Sequence, residues 1–290
     1  MIFLYPLFSA GQWVNNVRTA FNSLSAEPKV ITIQNAIEVP MEQGHLQGVQ
    51  VVGEKLLISG SSLNQSYLLQ VDLASKKAEK LIPLMEAPFR HAGGLQASEE
   101  YLAVGIEDNF KKNVSKVCVY PLEGEALETA APVLIIERGG KPELNTAGAT
   151  GILSSRPGQL VVVGDWDSRN WDFYQCSPMG GHAMQTASHA VPEDWPAYQS
   201  INLIADDEAI YAIGFYGNGQ TGSADLILVS KPGALELIME KVASKTFKCS
   251  DKVDFQTAAG LQVDQEGTLS VWATQRDAQK QIVVNTFLQR

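Results

Sequence analysis

The chain is poor in the residues that most often announce chemistry: it has three cysteines and four histidines in 290 residues. Cys118, Cys176 and Cys249 are far apart, and none falls in a Cys-x-x-Cys or Cys/His spacing, so zinc is not signalled. Cys118 lies within the apolar run Val117-Cys118-Val119-Tyr120, and the three thiols are expected to be ordinary core residues. Basic residues are also scarce, 22 Lys and Arg against 32 Asp and Glu, for a formal net charge of −10. With no Lys/Arg cluster to offset that balance, nucleic acid and anionic lipid are excluded as expected partners.

Long apolar runs are missing as well. Met1 to Ser9 is apolar but too short to cross a bilayer, and no other stretch approaches the roughly 20 residues required, so no transmembrane segment is expected. The same nine residues lack the positive flank of a secretory signal. The compartment stays open: cytoplasmic if the chain is complete, secreted or periplasmic if a signal lies upstream. There is no Gly-x-Ser-x-Gly elbow, no P-loop and no dinucleotide fingerprint in a strand–helix context, so no organic cofactor is expected.

What is present is ample core material and a repeat. Apolar residues make up 45% of the chain. His45-Leu46-Gln47-Gly48 recurs as His91-Ala92-Gly93-Gly94, Gly148-Ala149-Thr150-Gly151, Gln199-Ser200-Ile201-Asn202 and Thr257-Ala258-Ala259-Gly260. The copies stand roughly 50 residues apart, a period that means a repeat architecture. Each is followed by a second apolar run ending in Gly60, Gly105, Gly164, Gly214 or Ala273. In the first copy, strand signals cover 46–52, 56–59, 67–71 and 78–84, separated by turn residues.

Four short antiparallel strands per unit of this length resemble the blades of the β-propeller superfamily, over about residues 29 to 290. The resemblance is one of architecture and reaches no particular family. Trp166-Asp167 is not a WD40 signature, because it follows a second strand and occurs in one copy only. The expected fold is an all-β, five-bladed propeller of four-stranded antiparallel blades in a single domain, residues 29–290. The fifth copy ends after its third strand, and Val30-Ile31-Thr32-Ile33 stands unassigned before the first. Pairing the two would close the ring and cover an open edge. Residues 1–28 form an N-terminal extension, with an amphipathic helix between Gly11 and Leu24 capped by Ser9 and packed on one end of the repeat body. A monomer is expected.

In a meander the start of the first strand and the end of the second lie at the same end of the blade. The innermost strands therefore bring His45, His91, Gly148, Gln199 and Thr257 to one ring at the channel mouth. The loops after the second strands add Glu107, Asp108, Asp165, Asp167 and Arg276, with the aromatics Phe110, Trp166, Trp171 and Tyr216. Trp195 reaches the same face from a connecting segment. The glycines at the fourth repeat position are explained by crowding near the axis, where Asn202 departs from the pattern. His182 and His189 are expected on the surface.

The candidate ligand site is His45, His91, Gln199, Thr257, Glu107, Asp165, Trp166, Trp195 and Arg276. It suits a small polar molecule, a glycan or a peptide. The alternative is a hydrolase acting on a glycoside or ester with the same face, although the inner ring carries no carboxylate pair. No catalytic residue is assigned. A divalent cation held by His45, His91, Glu107 and Asp165 is the metal-dependent variant.

Overall fold

A computed structural model describes residues 12–122, 127, 131–155, 158–231, 236–250 and 252–290. The described chain is all-β with one short α-helix. Strand β1 (Lys29–Gln34) precedes a meander of β2 (Leu46–Val52), β3 (Lys55–Ser61), β4 (Gln65–Asp72) and β5 (Lys77–Glu86). The next meander is β6 (His91–Ala97), β7 (Tyr101–Glu107), β8 (Val114–Pro121) and β9 (Leu134–Gly139). A third runs β10 (Ala149–Ser155), β11 (Gly158–Gly164), β12 (Asn170–Ser177), β13 (His182–Ala190). A fourth runs β14 (Ser200–Ala205), β15 (Ile210–Gly217), β16 (Thr221–Ser230), β17 (Glu240–Lys248).

The last strands, β18 (Val253–Val263), β19 (Leu269–Gln275) and β20 (Gln281–Leu288), are joined by β1. Strand β1 runs antiparallel to β20, in a register from Lys29 opposite Thr286 to Gln34 opposite Gln281. The pairing of the early strand with the last copy is thus present.

The inner strands meet side by side: β2 against β6 and β18, β6 against β10, β10 against β14, and β14 against β18. Apolar clusters fill the spaces between successive meanders. One joins Val162, Trp171 and Phe173 to Ile201, Leu203 and Ile227; another joins Ile33, Ile282 and Val284 to Leu46, Ile58 and Tyr67. Each fully buried Leu, Ile or Phe of this kind contributes ~1.5–3 kcal/mol.

The repeat glycines sit where the inner strands crowd. A Cβ at Gly260 would lie 2.0 Å from the Val49 carbonyl oxygen, and one at Gly151 would lie 2.7 Å from that of Ile201. Asn202 replaces glycine because its side chain has work at the axis. Its Nδ2 donates to the Leu95 carbonyl at 3.2 Å and its Oδ1 accepts from the Leu261 amide at 2.9 Å.

Two further amides complete the filling. Gln96 Oε1 accepts from the Ile152 and Leu203 amides at 3.0 and 2.7 Å, while its Nε2 donates to the Leu203 carbonyl at 2.7 Å. Gln50 Nε2 donates to the Leu261 carbonyl at 3.2 Å and its Oε1 accepts from the Ala97 amide, also at 3.2 Å. Side-chain amides therefore tie inner strands of different meanders across the axis. All three are buried, as such unpaired backbone groups require.

Helix α1 (Val17–Ser23) is shorter than the sequence suggests. Ser9, the expected cap, lies outside the described residues; the helix is capped by Asn16, whose Oδ1 accepts from the Thr19 amide at 2.8 Å. Residues 12–14 are instead used in contacts at the far end of the inner strands. Gln12 Nε2 donates to the Ala97 and Ile152 carbonyls and its Oε1 accepts from Ser154, while the Val14 amide donates to Ala205. Val17, Phe21 and Leu24 then join the core with Phe215, Phe247 and Phe287.

The cysteines are unpaired. Burial pushes the thiols up to about 11 at Cys118 and about 12 at Cys176, which keeps them protonated and inert at neutral pH. No helix among the described residues is long and apolar enough to cross a membrane.

Candidate functional site

At one end of the inner strands β2, β6, β10, β14 and β18 lies a cavity of about 340 Å³. Its wall includes all five first positions of the repeat, His45, His91, Gly148, Gln199 and Thr257. Glu107, Asp165, Trp166, Asp167 and Arg276 reach the same cavity from the ends of second strands. Its size lies at the lower end of small-molecule sites, which run from about 300 to 1,000 Å³.

The local structure explains each placement. Glu107 ends β7 opposite His91 of β6 in the antiparallel register. Gly148 lies against it: a Cβ there would stand 3.5 Å from Glu107 Oε1, an ordinary van der Waals contact. Arg276 is brought beside His45 because its carbonyl accepts from the Leu46 amide at 2.8 Å. Asp165 precedes a 3-10 turn, Trp166–Ser168, and its Oδ1 accepts from the Asn170 amide at 2.8 Å.

Burial pushes the Tyr198 phenol up, and two further groups of the wall have displaced titrations. Burial, followed by the electrostatic influence of His91 and Arg276, lowers His45 to about 4, partly offset by a 2.5 Å hydrogen bond between its Nε2 and Gln47 Oε1. His45 is therefore neutral at physiological pH. Burial raises Asp165 to about 6, against the amide hydrogen bonds that favour its ionised form. Its Oδ2 is buried without a hydrogen-bond partner.

These displacements act on stability with opposite signs. Between pH ~4 and ~6 folded Asp165 holds a proton that the unfolded chain releases, so its contribution falls as pH rises, by up to ~3 kcal/mol. Folded His45 stays neutral where the unfolded chain binds a proton, so its contribution rises over pH ~4 to ~6.5. We expect Asp165→Asn to expose the rising slope and His45→Gln the falling one, measured as urea midpoints across that range. Matching slopes in both variants would refute the assignment.

Several aromatics are committed elsewhere. Trp195 does not line the cavity: it is 8% exposed and packs edge-on against Trp171 and Tyr198, at 6.3 and 6.2 Å between centroids. The register of β12 buries Trp171 as well. Phe110 is exposed and stacks on the Arg90 guanidinium at 3.6 Å. Trp166 reaches the cavity, but the Lys112 ammonium covers its ring at 3.5 Å. His182 and His189 lie on β13, exposed and half-buried respectively.

Four lining residues escaped the sequence reading: Gln47, Asn109, Tyr198 and Gln256. Gln47 was accessible from the period of two, since it shares a strand face with His45. Tyr198 precedes a ring position, and its hydroxyl is held by buried Asp225 at 2.7 Å. His45, His91, Glu107 and Asp165 all line this cavity, and among the described residues no group of three or more His, Cys, Asp or Glu side chains is placed to hold an ion.

No family model and no curated protein sequence matches the chain. It is similar in structure to a GH43 endo-arabinanase from Bacillus licheniformis, at 10% identity and a TM-score of 0.53, over 86% of this chain and 96% of that one. An exo-β-1,3-galactanase from Phanerochaete chrysosporium is similar at 7% identity and a TM-score of 0.51, over 89% of this chain but only 64% of that one. A GH43 β-1,3-galactosidase has 7% identity and a TM-score of 0.51, over 88% and 93%. At such identities the likeness concerns the fold alone, and that fold is a β-propeller.

Proposed function

We propose that residues 29–290 form one five-bladed propeller, closed through β1 and β20, that binds a small glycan-type ligand in the axial cavity. The cyclic contacts of the inner strands and the β1–β20 register support the blade count. The observation that carries the ligand reading is the convergence of the five repeat positions on one polar cavity. Gln199, Thr257 and Arg276 offer donors at its rim, and His45, His91, Glu107, Asp165 and Trp166 complete the wall. Sugars suit such a mixture of hydrogen-bonding groups and aromatic faces. The similar structures named above are glycan-processing enzymes, which points the same way.

A second reading, hydrolysis of a glycoside, is favoured by one observation. Glu107 and Asp165 line the same cavity, and burial holds Asp165 protonatable near neutral pH. A protonated carboxyl beside an ionised one is the pairing that glycoside hydrolysis uses.

The test is a glycan array followed by calorimetry on the best binder, with reducing-sugar release assayed in parallel. His45→Ala/His91→Ala is expected to weaken binding by at least about tenfold, as loss of two buried hydrogen-bonding groups implies. Full affinity in that variant would overturn the site. Sugar release abolished by Asp165→Asn would move the balance to the second reading.

A further inference from the structure

The two histidines of the cavity are not equivalent. His45 has its Nε2 engaged by Gln47 Oε1. His91 is backed instead by a carboxylate, its Nδ1 lying 3.2 Å from Glu107 Oε1. Both facing atoms are buried and neither makes a hydrogen bond of good geometry, so this 3.2 Å contact is the polar pairing open to them. Glu107 is only 1% exposed, and its other oxygen, Oε2, accepts from the Ala147 amide at 2.7 Å.

This arrangement dictates where protons sit. An ionised carboxylate accepts hydrogen bonds and donates none, so the proton between the pair belongs on His91 Nδ1. In the neutral ring the lone pair is then on Nε2. That nitrogen has no partner among the described residues and is not among the buried unpaired atoms, and His91 lines the cavity. The groups facing the ring are Glu107 from β7 and the neutral His45, 5.4 Å away between centroids.

We propose that His91 and Glu107 form an accepting dyad, with Nε2 receiving the O–H of a ligand hydroxyl and Glu107 the positioning residue that directs the lone pair there. The inference rests on the axial cavity being a ligand site, and it names the chemistry selected: an alcohol donor rather than an anion.

Glu107→Gln makes a sharp test. The Ala147 amide still demands an acceptor, so the glutamine carbonyl takes that place and its NH2 faces His91 Nδ1. The ring must then accept at Nδ1 and carry its proton on Nε2, which turns the cavity-facing atom from acceptor into donor.

Long-range proton–nitrogen spectra of the full chain with labelled histidine read the tautomer directly. The expected result is Nδ1–H in the wild type and Nε2–H in Glu107→Gln. Diethylpyrocarbonate reports the lone pair chemically, and its reaction at His91, followed by mass spectrometry at neutral pH, should slow by at least about tenfold in the variant. An Nε2–H or doubly protonated His91 in the wild type, or an unchanged tautomer and rate in a folded variant, would overturn the dyad. The wild-type spectrum decides alone if the variant does not fold. Neither measurement uses a glycan, so the dyad can fail while the binding reading stands, and the reverse.

Discussion

Gln96→Leu is expected to lower stability by about 3–6 kcal/mol, read as a reduced urea midpoint with an unchanged slope. The side chain serves three backbone groups, the Ile152 and Leu203 amides and the Leu203 carbonyl. Leucine has nearly the same volume and satisfies none of them. Each buried group left unpaired costs about 1–3 kcal/mol, because water cannot replace the lost partner at a filled axis. A loss below about 1 kcal/mol would mean that solvent reaches the axis and that the amides are not what bridges it.

The second large effect is expected at the repeat glycines, and it should be uneven. Gly260→Ala puts a methyl 2.0 Å from the Val49 carbonyl oxygen, which is backbone and cannot swing aside. Overpacking of this kind costs about 3 kcal/mol or more, and the variant should unfold well below the wild-type midpoint. At Gly94 the added Cβ would stand 3.2 Å from the Ser200 hydroxyl and 3.3 Å from the Ala149 Cα and the Thr150 amide nitrogen. Gly94→Ala should therefore cost clearly less than Gly260→Ala, since contacts more than an ångström longer need a shift of only a few tenths of an ångström. Equal losses at the two positions would show that backbone entropy, rather than interstrand crowding, governs them. Thermal and chemical denaturation of the pair decide the matter.

The contrast between these residues shows what a sequence exposes. The recurring phrase, its glycines and the pairing of Val30–Ile33 with the last copy could be read because a repeat states its own periodicity several times. The ring of His45, His91, Gly148, Gln199 and Thr257 followed from meander geometry alone, and these residues do line one cavity. The axial amides were not legible. Gln50 and Gln96 share a repeat position, but nothing local distinguishes a glutamine that spans the axis from one facing solvent. Trp195 failed for a related reason: a connecting segment has no period, so its direction is set by distant packing against Trp171 and Tyr198. The helix start was misplaced because Asn16 caps where Ser9 was expected, and residues 12–14 obey contacts with Ala97, Ile152, Ser154 and Ala205 rather than their own pattern. Glu107 was found as a loop acid, while its role behind His91 needed the register of β6 and β7.

The filled axis has a consequence for traffic. Gln50, Gln96 and Asn202 bond inner strands to one another below the mouth lined by His45 and His91, and Gln12 is fastened at the far end. Under the ligand reading proposed above, a long chain would offer only a terminus or a short branch to a cavity of about 340 Å³.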